Sequence, residues 1–270
     1  MERIQVTHPC FDQEAHRKYG RIHLPVAPKC NIQCRYCDRK YDCANESRPG
    51  VTSRVLKPEE AVSWMEEETA GKDFYRIVGI AGPGEPLANE ETFETLELLK
   101  RKNCGLQACL STNGLLLPQS VSRLAELGVS YLTVTMNGVC PEKTAEIYRY
   151  VRWDGRTFHG REAAELLLGN QMEGIRMAVA KKMIVKVNMV VVPGINEDQA
   201  VPLARTLKGL GVRLMNANSV IPAGEFRDKK PLPHGELCRI RNEAVAWMPQ
   251  FTLCRQCRAD AAGIPGKAVD

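Results

Sequence analysis

The 270-residue chain has no stretch approaching ~18 consecutive apolar residues, so a membrane-crossing helix is not expected. Its first residues, MERIQVTHPCFDQEAHRKYGR, lack the apolar core of a secretory leader. No low-complexity tract marks a disordered arm, no Gly/Ser-rich linker divides the chain, and no internal repeat stands out. Basic residues outnumber acidic ones only slightly, 37 to 32, and they are scattered rather than gathered into a stripe. Charge therefore gives no reason to expect nucleic acid as a partner. What is abundant is cysteine. Eleven Cys in a long chain without a leader point to a cytoplasmic metalloprotein rather than to a disulfide framework.

Strand-like and helix-like segments alternate along the chain. The strand candidates are 22–27, 76–81, 106–111, 131–136, 184–192 and 212–220. Between them, helical periodicity runs from Pro58, with Ala61, Met65 and Thr69 on one stripe, and from Glu90 to Lys102, with Phe93, Leu96 and Leu99 inward. Segments 118–127, 160–180 and 197–209 follow the same logic, with Pro202 marking a start or a kink in the last. Six strand-then-helix units predict a parallel sheet, and near-continuous apolar strands suit one covered on both faces. Six units fall short of a closed eight-stranded barrel. The expectation is an α/β fold forming a single domain over 1–270. Its core spans about 20–225, with an N-terminal extension 1–19 and a C-terminal extension 226–270.

Cys30, Cys34 and Cys37 form a C-x3-C-x2-C triplet just after the first strand candidate. Three thiolates at this spacing can hold three irons of a [4Fe–4S] cube and leave the fourth iron open for chemistry. Half a zinc site is the rival reading. The stretch AGPGEP (81–86) follows the second strand; Gly84 permits close backbone approach, and Glu85 supplies a carboxylate at the strand's C-terminal end. Alone, it would read as a turn. Ser111, Thr112 and Asn113 close the third strand, and Thr135, with Met136-Asn137-Gly138, closes the fourth; Asn188 sits on the fifth. These hydroxyl and amide groups are candidate ligand contacts or ordinary strand-to-helix turns.

Other Cys lie elsewhere. Cys254 and Cys257 form a C-x2-C pair near the C-terminus, a metal-ligand spacing whose leading rival is a zinc site needing two more ligands. Cys10 sits in HPCF, Cys43 is six residues past Cys37, and Cys109 is on the third strand. Cys104 and Cys140 read as small buried hydrophobes. His23, on the first strand, could face the cavity of the Cys triplet; no constellation singles out His8.

The triplet with its aromatic Tyr36, and AGPGEP, resemble the radical S-adenosylmethionine (SAM) superfamily. The runs HPCFDQEAH (8–16), APKCNIQCRYCDRKYDCANESRPGV (27–51) and LCRQCRADAAG (253–263) resemble, more narrowly, the nitrogenase cofactor maturase (NifB) family. That resemblance implies a radical SAM barrel, a partial (β/α)6 TIM-like barrel, in which Cys30, Cys34 and Cys37 hold the SAM cluster. Tyr36, Gly84, Glu85, Ser111, Thr112, Asn113, Thr135 and Asn188 would bind SAM. Two further [4Fe–4S] clusters are implied: K1 on His23, Cys43 and Cys109, and K2 on Cys10, Cys254 and Cys257. Glu46 and Arg48 would orient a cluster or handle a proton, unless they form a surface salt bridge.

The implied reaction fuses K1 and K2 around a carbide taken from a SAM methyl group, with sulfite as the source of a ninth sulfur. One SAM gives its methyl to a K2 sulfide, and a second is cleaved reductively to a 5′-deoxyadenosyl radical. The implied partners are iron–sulfur cluster donor proteins, an electron donor such as a ferredoxin, and a carrier or scaffold that accepts the product; neither nucleic acid nor membrane is among them. With the chain ending soon after CRQC, the expectation is a stand-alone form without the carrier-like C-terminal domain of longer relatives.

Overall fold

The computed structural model describes residues 7–38, 52, 54–254 and 258–267. The elements run in this order: α1 (Gln13–Lys18), β1 (Gly20–His23), β2 (Ile32–Cys34), α2 (Pro58–Thr69), β3 (Tyr75–Ile80), α3 (Glu90–Lys102), β4 (Gln107–Thr112), α4 (Leu117–Glu126) and β5 (Val129–Thr135). They continue with α5 (Pro141–Ile147), β6 (Tyr148–Trp153), β7 (Arg156–Phe158), α6 (Gly160–Ala180), β8 (Ile184–Val191), α7 (Ala200–Gly209), β9 (Leu214–Ser219), α8 (His234–Val245) and β10 (Ala262–Gly263).

Local chemistry explains the helix ends. Pro58 opens α2, where its missing N–H costs no bond, and the Glu60 carboxylate accepts from the Lys57 amide at 3.0 Å. In α3, Glu90 and Glu91 occupy the first turn and Lys100, Arg101 and Lys102 the last, matching the helix dipole at both ends. Its inward Phe93, Leu96 and Leu99 are buried. Pro202 is the third residue of α7, in the first turn, so it marks a start and not a kink.

Strands β1, β3, β4, β5, β8 and β9 pair in parallel, in that order, and curl into the expected six-stranded partial barrel. Three features differ from the sequence reading. The first strand ends at His23 rather than 27; beyond it Leu24 and Val26 remain fully buried while the chain turns toward the loop that carries Cys30, Cys34 and Cys37, called the cluster loop after the expected role of those thiols. A seventh strand, β10, comes from the C-terminal extension and pairs antiparallel with β1, so that extension is part of the sheet. Segment 148–158 is a hairpin, β6–β7, which pairs with β2 in a separate antiparallel sheet. Asp154 and Gly155, both with positive φ (47° and 69°), make its two-residue turn between the paired Trp153 and Arg156.

Candidate active site

The site is built where the cluster loop crosses the C-terminal ends of β3 and β4. The loop is clamped at Lys29: its amide donates to Asn89 Oδ1 at 3.0 Å and its carbonyl accepts from Asn89 Nδ2 at 2.9 Å. The same carbonyl accepts from the Glu85 amide at 2.8 Å, while the Gly84 amide donates to Ala27 at 2.6 Å. This close crossing requires glycine. A Cβ on Gly84 would stand 2.3 Å from the Lys29 oxygen and 2.9 Å from that of Pro28. Further along, Gln33 Nε2 donates to the carbonyls of Cys34 (3.0 Å) and Cys37 (2.9 Å), and β2 pairs with β6.

The loop and strand ends enclose a cleft of about 770 Å³, including its open mouth. Cys30, Cys34, Cys37 and Tyr36 line it from the loop, and Gly84, Glu85, Ser111, Thr112, Asn113 and Thr135 line it from the strand ends. Three thiols lining one cleft can each take one iron of a cubane.

Glu85 is buried at 3% exposure. Its carboxylate accepts from Thr112 Oγ1 (2.5 Å), the Asn113 amide (2.6 Å) and the Leu87 amide (3.0 Å). It therefore ties the ends of β3 and β4 together as well as lining the cleft. Asn113 Nδ2 in turn donates to Asn31 Oδ1 in the cluster loop at 2.7 Å. Tyr36, at 1% exposure, is fixed through its hydroxyl by Asn137 Nδ2 at 3.0 Å; the same amide reaches Tyr148 at 2.9 Å. Asn137 Oδ1 accepts from the Val190 amide, and Asn196 donates to the Asn137 carbonyl, so the network is anchored in β8.

A second group lies deeper. Cys109 is two residues before Ser111 on the same face of β4, so it sits about 6.5 Å below the cleft lining. His23, Gly79 and Cys109 are register partners across β1, β3 and β4. The middle position is glycine; a Cβ there would meet the His23 ring at 3.0 Å. His23 Nδ1 lies 3.1 Å from the Arg258 carbonyl, which can only accept, so the proton is on Nδ1 and the Nε2 lone pair is left for a metal. Burial, then the charge of Arg21, lowers the His23 pKa to about 4. Burial, then Cys10, raises that of the Cys109 thiol to about 12. Cys10 and Cys254, from the two extensions, pack against the same cluster as Cys109, formed by Phe11, Ile77, Tyr131, Leu214 and Phe251.

Not every expectation falls in these two places. Asn188 is beside Thr135 in register but outside the cleft lining, and its Oδ1 accepts from Asn216 at 3.4 Å. His23 faces the lower group rather than the cleft of the triplet. Cys43, Glu46, Arg48 and Cys257 lie outside the described residues. Cys104 is exposed, and Cys140 donates to Glu142 at 3.2 Å; neither is a core residue. Sequence reasoning missed Asn89, Tyr148 and the structural part of Asn137, whose partners are 60, 11 and 101 residues away respectively. No short motif announces them. No helix among the described residues is long and apolar enough to cross a membrane.

A parallel partial barrel with a three-Cys loop and a carboxylate over its strand ends defines the radical SAM class, and the Radical SAM superfamily profile matches residues 24–207. A radical SAM methyltransferase from Sphaerobacter thermophilus shares the fold: TM-score 0.58 at 20% identity, covering 87% of this chain and 64% of that one. The FeMo cofactor biosynthesis protein NifB of Klebsiella pneumoniae is 45% identical over 96% of this chain, which spans 57% of that relative's length. The NifB of Methanocaldococcus jannaschii is 43% identical, with 97% and 87% of the two chains covered. The chain belongs to the NifB family. Membership in the superfamily implies SAM and a [4Fe–4S] cluster.

Proposed function

We propose that this chain is a radical SAM maturase that fuses two [4Fe–4S] substrate clusters, K1 and K2. The product is the eight-iron, nine-sulfur precursor of the nitrogenase cofactor, with a ninth sulfur supplied as sulfite and reduced by the external electron donor, and a central carbide drawn from a SAM methyl group. The observation that carries this reading is the two-level interior: a cleft lined by Cys30, Cys34 and Cys37 lies above a second group containing His23, Cys109, Cys10 and Cys254. A simple SAM-cleaving enzyme has no need of the lower thiols.

The resident cluster, held by Cys30, Cys34 and Cys37, supplies the electron for reductive cleavage of SAM. Around it, Gly84 and Glu85 line the part of the cleft in which SAM's amino acid end would lie. Ser111 and Thr135 offer hydroxyl groups to its carboxylate and ribose, while Thr112 and Asn113, engaged with Glu85 and Asn31, shape the same wall of the cleft. Tyr36 lines the cleft and is held by Asn137. Below, K1 is assigned to His23, Cys109 and Cys43, and K2 to Cys10, Cys254 and Cys257. A buried, neutral His23 can donate its Nε2 lone pair without first losing a proton. An imidazole adds no negative charge, which favours release of K1 during fusion. The buried barrel wall excludes water from a radical made there. Glu46 and Arg48 are assigned to orienting a cluster or handling a proton. The partners are cluster donors, a reductant such as a ferredoxin, and a carrier for the product.

The test is anaerobic reconstitution, with iron and both SAM products counted per folded chain. The parent should hold about twelve irons. Replacing Cys30, Cys34 and Cys37 together by Ala should remove about four irons and all 5′-deoxyadenosine. Cys254→Ala/Cys257→Ala should abolish S-adenosylhomocysteine while slow 5′-deoxyadenosine formation continues. Normal S-adenosylhomocysteine in that second variant sinks the K2 assignment. A parent that consumes no SAM is a scaffold and not this enzyme.

A further inference from the structure

The lower interior contains a cation that the reading above does not use. Lys186, on β8, is 4% exposed. Its Nζ donates to the Cys10 carbonyl at 3.3 Å and lies 5.0 Å from the Phe11 ring centroid and 5.7 Å from that of Phe251. Among the described residues no carboxylate forms an ion pair with it. One long hydrogen bond and two aromatic faces compensate a buried ammonium only in part. The complement it lacks is an anion.

A second uncompensated donor lies beside Phe11 and Cys10 as well. His8 is 2% exposed, packed between Phe11 (4.6 Å between centroids) and Tyr131 (4.7 Å). Its Nδ1 accepts from the Cys10 amide at 3.0 Å, so the proton of the neutral ring is on Nε2. That Nε2 has no hydrogen-bond partner, and such a buried orphan calls for an explanation. Lys186 is near enough to act electrostatically on both His8 and Cys109. The orphan donor, the ammonium and two candidate thiol ligands therefore share one small region around Cys10.

We propose that the Lys186 ammonium and the His8 Nε2–H bind the inorganic sulfides of an anionic iron–sulfur cluster seated on Cys10. The inference rests on the assignment of Cys10 as a cluster ligand. A cubane carrying thiolates is a net anion whose sulfides accept hydrogen bonds. One ammonium and one N–H offset that charge where water is excluded. Lys186 and His8 are positioning residues: they hold the cluster and set its potential, while Cys10 makes the bond to iron.

A structural lysine and a lysine awaiting an anion respond in opposite ways to removal. In the Cys30→Ala/Cys34→Ala/Cys37→Ala background, iron measures only the lower clusters. There, Lys186→Met should leave the Tm of the metal-free protein unchanged or raise it, because an under-compensated charge is lost. After reconstitution it should lose about half of the remaining iron. Any cluster retained should have a more negative reduction midpoint, and Lys186→Arg should restore both iron and midpoint in part. His8→Phe should move the midpoint in the same direction. Full iron with an unchanged midpoint in Lys186→Met overturns the inference. So does a lowered metal-free Tm with normal iron per folded chain, because that is the response of a purely structural lysine. Absence of iron from the background protein itself would overturn the lower-cluster assignment and this inference with it, and is distinguishable because it needs no change at Lys186.

Discussion

The contact between Gly84 and the cluster loop gives a steric test that changes no functional group. In Gly84→Ala the new methyl would lie 2.3 Å from the Lys29 oxygen, 2.8 Å from the Lys29 carbon and 2.9 Å from the Pro28 oxygen. All three are backbone atoms, so no side-chain rotation relieves them. An ordinary contact requires the two segments to part by about 1 Å. Overpacking of this kind costs about 1–3 kcal/mol. Separation also strains the hydrogen bonds Glu85 N–H to Lys29 and Gly84 N–H to Ala27, worth roughly 1 kcal/mol each. The expected loss is about 2–5 kcal/mol, concentrated where the three-Cys loop meets the cleft. A displacement of about 1 Å costs on the order of 100-fold in rate. The assay is dithionite-driven 5′-deoxyadenosine formation by the reconstituted protein, with Tm measured alongside. Gly169→Ala is the control, since nothing lies within 4 Å of its Cβ position in α6; it should be neutral or stabilise by ~1 kcal/mol. Cleavage by Gly84→Ala within twofold of the parent would falsify the close crossing at Gly84 as what holds the three-Cys loop for SAM cleavage.

Asn137→Ala strips the hydroxyls of Tyr36 and Tyr148 of a shared donor and leaves the Val190 amide without its acceptor. It should cost about 2–4 kcal/mol in denaturant unfolding and raise the SAM dissociation constant, whereas an unchanged SAM affinity would separate Tyr36 from the ligand. The Glu68 carboxylate, bound by Lys72 at 2.8 Å and by the Tyr75 hydroxyl at 2.7 Å, has its pKa lowered first by Lys72 and then by Tyr75. Its contribution is present above the unfolded value near 4.5 and is lost as pH falls through the lowered folded value. Being partly exposed, the pair is worth less than ~1 kcal/mol, so Glu68→Gln should unfold slightly earlier than the parent at pH 7 and together with it at pH 2; equal midpoints at pH 7 would show the pair to be inert.

Much of this protein is written locally. The triplet Cys30, Cys34 and Cys37, the GPGEP turn and the polar ends of β4 and β5 follow from short-range spacing, because each belongs to one loop or one strand end. The helix limits at Pro58 and Glu90–Lys102 are equally local, set by a proline N–H that is not needed and by charges that suit a dipole. The Asp154–Gly155 turn was also available as a signal, although its partner strand, β2, was not. Tertiary structure alone decided which residues meet. His23 and Cys109 share a level because three parallel strands adopt one register across a glycine. Cys10 and Cys254 reach the same apolar cluster because both extensions pack against it. Lys186 has no motif. It looks like any strand lysine until β8 turns it inward, where burial makes an ordinary charge into a demand for an anion.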